Sequence, residues 1–281
     1  MKIGITGATG QLGNLVVHKL KEKVPAGNII ALVRSVEKVT EPGVAARGFD
    51  YEKPDILKTA LKDVDTLLLI SASGLEGRFP KHKNVIEAAK QSGVRWIVYT
   101  SLLHTDSSSI DLAKEHKVTE KILIDSGISF TILRNGWYTE NYTSSVPGAI
   151  RGGAFMGCAG NGKISLAARA DYADAAVAVL TGRGHPGKTY ELAGDNAYTL
   201  SDLAAEISRQ TGKNIPYKNL SEKEYTEALT GFGIPEMFAK AIAGWDTGAS
   251  KNDLFDDSRQ LSQLTGKPTT PLSLSITEAI Q

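Results

Sequence analysis

The chain has 281 residues, with 32 lysines and arginines against 31 aspartates and glutamates, a net charge of +1. The two signs are mixed along its length, so no basic stripe points to nucleic acid and no like-charge block points to a disordered tail. One cysteine, Cys158, excludes an intramolecular disulfide and fits a reducing compartment; His18, His82, His104, His116 and His185 lack metal-ligand spacing, and no apolar run is long enough to span a membrane. A strand pattern begins at once, leaving no room for a cleaved signal, so the expectation is a cytoplasmic protein without metal.

Alternation and β-branching in Lys2-Ile3-Gly4-Ile5-Thr6 predict a strand, and Leu12, Leu15, Val16, Val17 and Leu20 then recur at helical spacing. Between them stand Gly7, Gly10 and Gly13. A glycine turn that opens a helix leaves backbone N–H groups at the positive end of the helix dipole, which suits a phosphate. An ordinary strand-to-helix turn uses glycines too, but a place ahead of a βα unit favours a nucleotide.

Near-continuous apolar runs at 28–33, 64–70, 94–100 and 128–134 predict strands buried on both faces, with 44–50 a weaker candidate. Helical patterns fall at 11–23, 54–62, 80–92 and 110–126, and Gln91-Ser92-Gly93 and Asp125-Ser126-Gly127 read as helix stops. This alternation predicts an α/β fold built on a doubly wound parallel sheet of the Rossmann kind. After Arg134 the rhythm breaks. Residues 147–164 are glycine-rich and irregular, a helix at 170–182 and a strand at 188–194 return to the sheet, and 200–212 and 222–234 are helical. The expected division is a dinucleotide-binding core of residues 1–135, rejoined by 168–195, and a smaller substrate-binding lobe of 136–167 and 196–281. That lobe is expected to close over the carboxyl ends of the strands, where open α/β sheets bind ligands.

The end of the second predicted strand bears on the cofactor. NAD-specific folds usually place an acid there for the adenosine 2′-hydroxyl, whereas "ALVRS" places Arg34. A guanidinium suits a 2′-phosphate through charge and forked hydrogen bonds, so NADPH is expected; a solvent-exposed arginine without a ligand is the alternative.

"GATGQLG" (7–13), "ALVRS" (31–35), "FDY" (49–51), "LLLISAS" (67–73), "HKNVIEAAKQSGVRWIVYTS" (82–101) and "LRNGWYTENY" (133–142) resemble the NmrA-like, atypical short-chain dehydrogenase family, and within it the branch of bacterial NADPH-dependent quinone reductases. The resemblance covers nearly the whole chain, including "LTGKPTTPLSLSI" (264–276). It implies that Gly7, Thr9, Gly10, Gln11, Leu12, Gly13 and Arg34 hold the phosphates. By the same resemblance Asp50 and Tyr51 lie near the adenine, and Ser71, Ala72 and Ser73 border the adenosine half. Ser101, Asn135 and Arg169 are further candidates for cofactor contact.

Typical short-chain dehydrogenases protonate their substrate with a tyrosine four residues ahead of a lysine, on one face of a helix. Aligned on Glu120, "LAKEHKVTE" puts Leu112 at the tyrosine and His116 at the lysine. The phenol is missing. Ser101 in "VYTSLL" occupies the place of the substrate-binding serine. Such a site is poorly suited to simple ketones, but it suits a quinone, whose two-electron product is a stabilised anion. General acid catalysis typically contributes about 10²–10⁴-fold, which a reactive acceptor tolerates losing.

Trp137 and Tyr138 are candidates to stack on a flat ring and Asn141 to hydrogen-bond a quinone oxygen, with core packing the alternative for the two aromatics. Arg134 and Asn135 equally fit caps at a strand end, His116 a plain helix position, and His104 either a loop or a site role. Three functions fit. The first is an NADPH-dependent quinone oxidoreductase working without flavin on a quinone or similar flat electrophilic acceptor. The others are a triphenylmethane-dye reductase and a non-catalytic NADP(H)-binding regulator of the NmrA type. Any of them is compatible with an oligomer.

Overall fold

The structure is a computed structural model describing residues 1–75 and 77–281. In chain order its elements are β1 (Ile3–Thr6), α1 (Gln11–Lys21), β2 (Ile29–Val33), β3 (Ala45–Gly48), α2 (Pro54–Ala60), β4 (Thr66–Leu69), α3 (Arg78–Gln91), β5 (Trp96–Leu102), α4 (Asp111–Asp125) and β6 (Ser129–Asn135). There follow α5 (Glu140–Thr143), α6 (Val146–Gly152), β7 (Phe155–Gly157), α7 (Arg169–Thr181), β8 (Lys188–Leu192), α8 (Leu200–Thr211), β9 (Tyr217–Asn219), α9 (Glu222–Gly231), α10 (Glu236–Ser250), α11 (Gln260–Thr265) and α12 (Leu272–Ile280).

Seven strands form one sheet in the order β3-β2-β1-β4-β5-β6-β8. β1 pairs in parallel with β2 and β4, Gly4 standing opposite Ile30 on one side and Leu67 on the other. The remaining pairs from β3 to β6 are parallel as well. The chain runs outward from β1 to β3 and then crosses back to β4, so the strand order reverses between β1 and β4. Open α/β sheets bind ligands at such a switch point. The strands read as apolar runs because both faces are covered: Ile3, Ile5, Leu32, Leu67 and Val98 are all buried. On one face α1 packs against α7; on the other, Leu57, Val85, Ile86 and Leu123 from α2, α3 and α4, with Leu61 just past α2, close over Leu32, Leu67 and Ile97. Gly93 and Gly127 end their helices in the left-handed region, at φ 76° and 79°.

Two compact units partition the chain. The first comprises Met1–Leu102, Lys114–Asn135 and Arg169–Tyr190; the second comprises Leu103–Ala113, Gly136–Ala168 and Glu191–Gln281. In the second unit β7 and β9 pair in parallel, α9 packs on α10, and α12 packs on α5, α6 and α8. The stretch 147–164 is more ordered than its composition suggests. Pro147 lies in the first turn of α6, Gly153 ends that helix at φ 73°, and Phe155–Gly157 then pairs with Tyr217–Asn219. Gly152 and Gly153 close α6 and Gly157 ends β7, whereas Gly148 lies within the helix. Among the described residues no helix is long and apolar enough to cross a membrane.

Candidate active site

In the first unit the β1–α1 turn is drawn tight by its own backbone. The Gly7 N–H donates to Leu32 O at 3.0 Å, the Gly10 N–H to Gly7 O at 2.8 Å and the Asn14 N–H to Gly10 O at 2.9 Å. Gly7 has φ +59°, and a Cβ built on it would meet nothing within 4 Å, so its outer side is open. Gly13 serves packing: a Cβ there would lie 2.2 Å from Gly7 O. Gly10 caps α1 with no side-chain hydrogen bond and the first turn carries no acid, while Thr9, Gly10 and Gln11 are exposed and Leu12 is buried. Arg34 is exposed just past β2, two residues beyond the Thr6–Leu32 pairing, and among the described residues no side chain pairs with it. An open cradle, an uncapped helix start and an unpaired guanidinium beside them fit a dinucleotide carrying an extra phosphate.

Asp50 and Tyr51 follow β3, brought alongside by the Phe49 N–H donating to Val33 O at 2.7 Å. Asp50 Oδ1 accepts the Glu52 N–H at 3.1 Å, and Lys53 Nζ lies 3.7 Å from its carboxylate. The Tyr51 hydroxyl turns inward, donating to Ile70 O at 2.8 Å with Thr6 Oγ1 at 2.5 Å, and burial raises its pKa well above the ordinary value. Past β4, three successive amides are each held by a side chain. Ile70 N–H donates to Thr6 Oγ1, Ser71 N–H to Thr100 Oγ1 and Ala72 N–H to His82 Nε2, all at 2.9 Å. His82 therefore carries its hydrogen on Nδ1, 3.0 Å from Thr119 Oγ1. Burial, reinforced by Arg78 and Lys81, pushes its pKa down to about 3. Arg78 reaches back to Ser71 Oγ at 2.9 Å and Gly74 O at 2.7 Å; Ser73 is exposed.

Tyr99 and Ser101 alternate on β5 and share the face that α4 covers. The Tyr99 hydroxyl lies 2.7 Å from His116 Nδ1, and both side chains are buried. Burial, then Arg78 and His82, push the His116 pKa down to about 3, so the imidazole is neutral and does not reproduce a lysine's charge. Nor is it a surface position. The phenol nearest to it is Tyr99, whose 0 % exposure keeps it from a ligand. Ser101 Oγ donates to Glu120 Oε1 at 2.5 Å, and Arg134 forks onto the same carboxylate with Nε at 3.0 Å and Nη2 at 2.6 Å. Arg134 is thus an ion-pair partner and not a strand cap. Asn135 is buried at the end of β6, and Arg169 is half-buried at the start of α7.

In the second unit, the segment after β6 is fixed by its backbone. The Gly136 N–H donates to Leu192 O at 2.7 Å and the Thr139 N–H to Ala167 O at 2.9 Å. Trp137 is buried edge-on against Trp245, with ring centroids 5.5 Å apart, as the core-packing alternative has it. Tyr138 is half-buried and Asn141 is exposed on α5. Next to Asn141, the Tyr142 hydroxyl donates to Asp246 Oδ1 at 2.8 Å. His104, at φ +51°, gives its N–H to Glu191 Oε2 at 2.9 Å and sets Nε2 3.1 Å from Asp256 Oδ2.

Sequence reasoning passes over Arg78, His82, Tyr99 and Asp246. Two of them leave a readable trace. His82 stands on the helical stripe of Val85, Ile86 and Ala89, and Asp246 on that of Ala239, Ala243 and Ala249, so each is a polar residue on a face meant for burial.

The family model for NAD(P)H-binding proteins matches residues 7–183, more than half of the chain, and the chain belongs to that family. It is 53% identical over 277 residues to quinone oxidoreductase 2 of Escherichia coli, covering 98% of this chain and 97% of that protein. The crystal structure of the E. coli NADPH-dependent quinone oxidoreductase complexed with NADPH is 52% identical, with a TM-score of 0.97 over 99% of this chain and 100% of that one. The triphenylmethane reductase of Citrobacter sp. is 36% identical, with a TM-score of 0.96 over 100% of this chain and 99% of that one.

Proposed function

We propose that this chain is an NADPH-dependent quinone oxidoreductase that delivers a hydride directly to a quinone, without flavin, in the cytoplasm. The observation that carries the reading is the 53% identity to a quinone oxidoreductase along nearly the full length of both chains. The site chemistry agrees. The first unit is the nucleotide-binding part: the Gly7–Gly13 turn takes the pyrophosphate, and Arg34 takes the 2′-phosphate that separates NADPH from NADH. Asp50 and Tyr51 flank the adenine, and Ser71–Ser73 the adenosine half. When bound, NADPH supplies the hydride, and with it both electrons.

The second unit provides the acceptor side. Tyr138 offers a ring edge and Asn141 an amide donor for the quinone oxygen on which negative charge develops. Leu112 and the neutral His116 leave α4 without a phenol–lysine pair, so water supplies the proton to the hydroquinone anion. That division of labour restricts the enzyme to acceptors that need no strong acid. A cationic triphenylmethane dye meets the same condition, and the 36% identity to a dye reductase favours it as a second acceptor.

Mixing the protein with NADPH and a small soluble quinone, and following the nicotinamide absorbance, tests the reading. NADPH should be consumed at the same rate with and without added flavin. Tight NADPH binding with neither quinone nor dye reduced would replace the enzyme by a sensor.

A further inference from the structure

α10 sets two adjacent side chains against the segment that carries the acceptor candidates. Trp245 meets Trp137 edge-on, and Asp246 Oδ1 accepts the Tyr142 hydroxyl at 2.8 Å. These contacts bracket Trp137 to Tyr142, with Tyr138 and Asn141 between them. The other carboxylate oxygen, Oδ2, accepts the Cys158 N–H at 2.9 Å. Gly157 makes the approach possible, since a Cβ there would fall 2.8 Å from Asp246 Oδ2 and 2.7 Å from Leu200 Cδ1.

Asp246 is 2 % exposed, yet among the described residues no cation pairs with it. The groups facing it are Tyr142 from α5, Cys158 after β7, Tyr217 from β9 and Tyr225 from α9, with Glu222 of α9 near Cys158; among the described residues no lysine, arginine or histidine acts on it. Burial raises its pKa to about 6, against the pull of the Cys158 and Tyr142 hydrogen bonds. Burial and then the Asp246 charge also raise the Tyr142, Tyr217 and Tyr225 hydroxyls, and the Cys158 thiol is pushed up to about 12. A buried carboxylate without a counter-charge is a costly thing to keep.

We propose that Asp246 is a positioning residue for the acceptor: its charged carboxylate, held by Tyr142 and the Cys158 amide, fixes the Trp137–Tyr142 segment, and its protonation loosens acceptor binding. A proton on Oδ1 reverses that hydrogen bond: the Tyr142 hydroxyl must rotate to accept, and a neutral contact replaces a charge-assisted one, so the hold at that end of the segment weakens. The proposal rests on the quinone reading for its substrate, though not for its contacts.

The test measures quinone KM and kcat from pH 5 to 8 in the wild type, Asp246→Asn and Tyr142→Phe, with NADPH affinity alongside. In the wild type the quinone KM should rise about fivefold below pH 6, the worth of one net hydrogen bond, with NADPH affinity following no such step. Asp246→Asn should abolish the step. Tyr142→Phe removes a hydrogen bond to the charged form, so the midpoint should move to higher pH, a shift that a merely structural tyrosine would not cause. In a Trp96→Phe background the fluorescence of the Trp137–Trp245 pair should change with the wild-type midpoint, and stay flat when Asp246→Asn is added. A KM step that survives Asp246→Asn, or a midpoint that Tyr142→Phe leaves in place, overturns the proposal. If the wild type reduces no quinone at all but the fluorescence step appears and depends on Asp246, the quinone reading fails and the clamp stands.

Discussion

Glu120 in the first unit and Asp246 in the second are both buried, at 5 % and 2 % exposure, but their surroundings differ. Glu120 takes two hydrogen bonds from the Arg134 guanidinium and one from Ser101, so its charge is matched where it sits. Among the described residues Asp246 has a phenol and an amide as its hydrogen-bond partners. Tied to Ser101 and Arg134, the Glu120 carboxylate is a fixed strut between β5, α4 and β6. An unmatched one stands close to its own protonation and is free to respond. What separates the two carboxylates is an arginine within hydrogen-bond reach of the one, Glu120, and among the described residues none at the other, Asp246.

The sharpest way to break this contrast is to unmatch Glu120. Arg134→Met should destabilise the protein by about 3–5 kcal/mol in urea unfolding at pH 7.5, because it strands a buried charge. Adding Glu120→Gln should restore most of the loss. Unchanged stability in Arg134→Met would mean that the ion pair is not what holds the strut.

Acid is the next lever. His82 and His116 have folded pKa values near 3, below the ordinary 6.5, so the stability they contribute is full above pH 6.5 and is lost as pH falls toward 3. Each should cost about 1.4 kcal/mol per pH unit, or about 4 kcal/mol for the pair between pH 6.5 and 5. Asp246 works in the opposite sense. Its folded pKa is raised from 3.8 to about 6, so its contribution is present below pH 3.8 and lost as pH rises through 6. Asp246→Asn should therefore stabilise the protein at pH 8, by at most about 3 kcal/mol, with the gain vanishing near pH 4. A variant less stable at pH 8 than at pH 4, each relative to wild type, would show that the carboxylate is compensated after all.

The smallest effect concerns Arg34, an exposed charge just past β2. Arg34→Ala should weaken NADPH binding by about 1.5–3 kcal/mol while leaving NADH binding nearly unchanged, read by direct titration of both cofactors. Equal wild-type affinity for the two would remove Arg34 from the 2′-phosphate.

The β1–α1 turn and the strands around it are legible from the sequence because their signals are local. Gly7, Gly10 and Gly13 lie within one turn, and Arg34 is placed by the end of an apolar run. The α4 face is half legible: aligning on Glu120 finds the missing phenol, but not that Tyr99, seventeen residues earlier, fills the space beside His116. The Asp246 cluster is hardest, since it joins Tyr142, Cys158 and Asp246 across as many as 104 positions and carries no spacing of its own. Short elements such as β7 escape for a related reason. Three residues are too few to show a period, and their partner strand lies some sixty positions away.

The side chains that hold the amides of Ile70, Ser71 and Ala72 come from β1, β5 and α3, three elements distant in sequence. If any one of those elements moves away, a half-buried backbone N–H loses its partner, so the segment is tied at three points against fraying by itself. Hydrogen exchange at these three amides should be slow for a segment outside a strand, and rates near those of an open loop would contradict this.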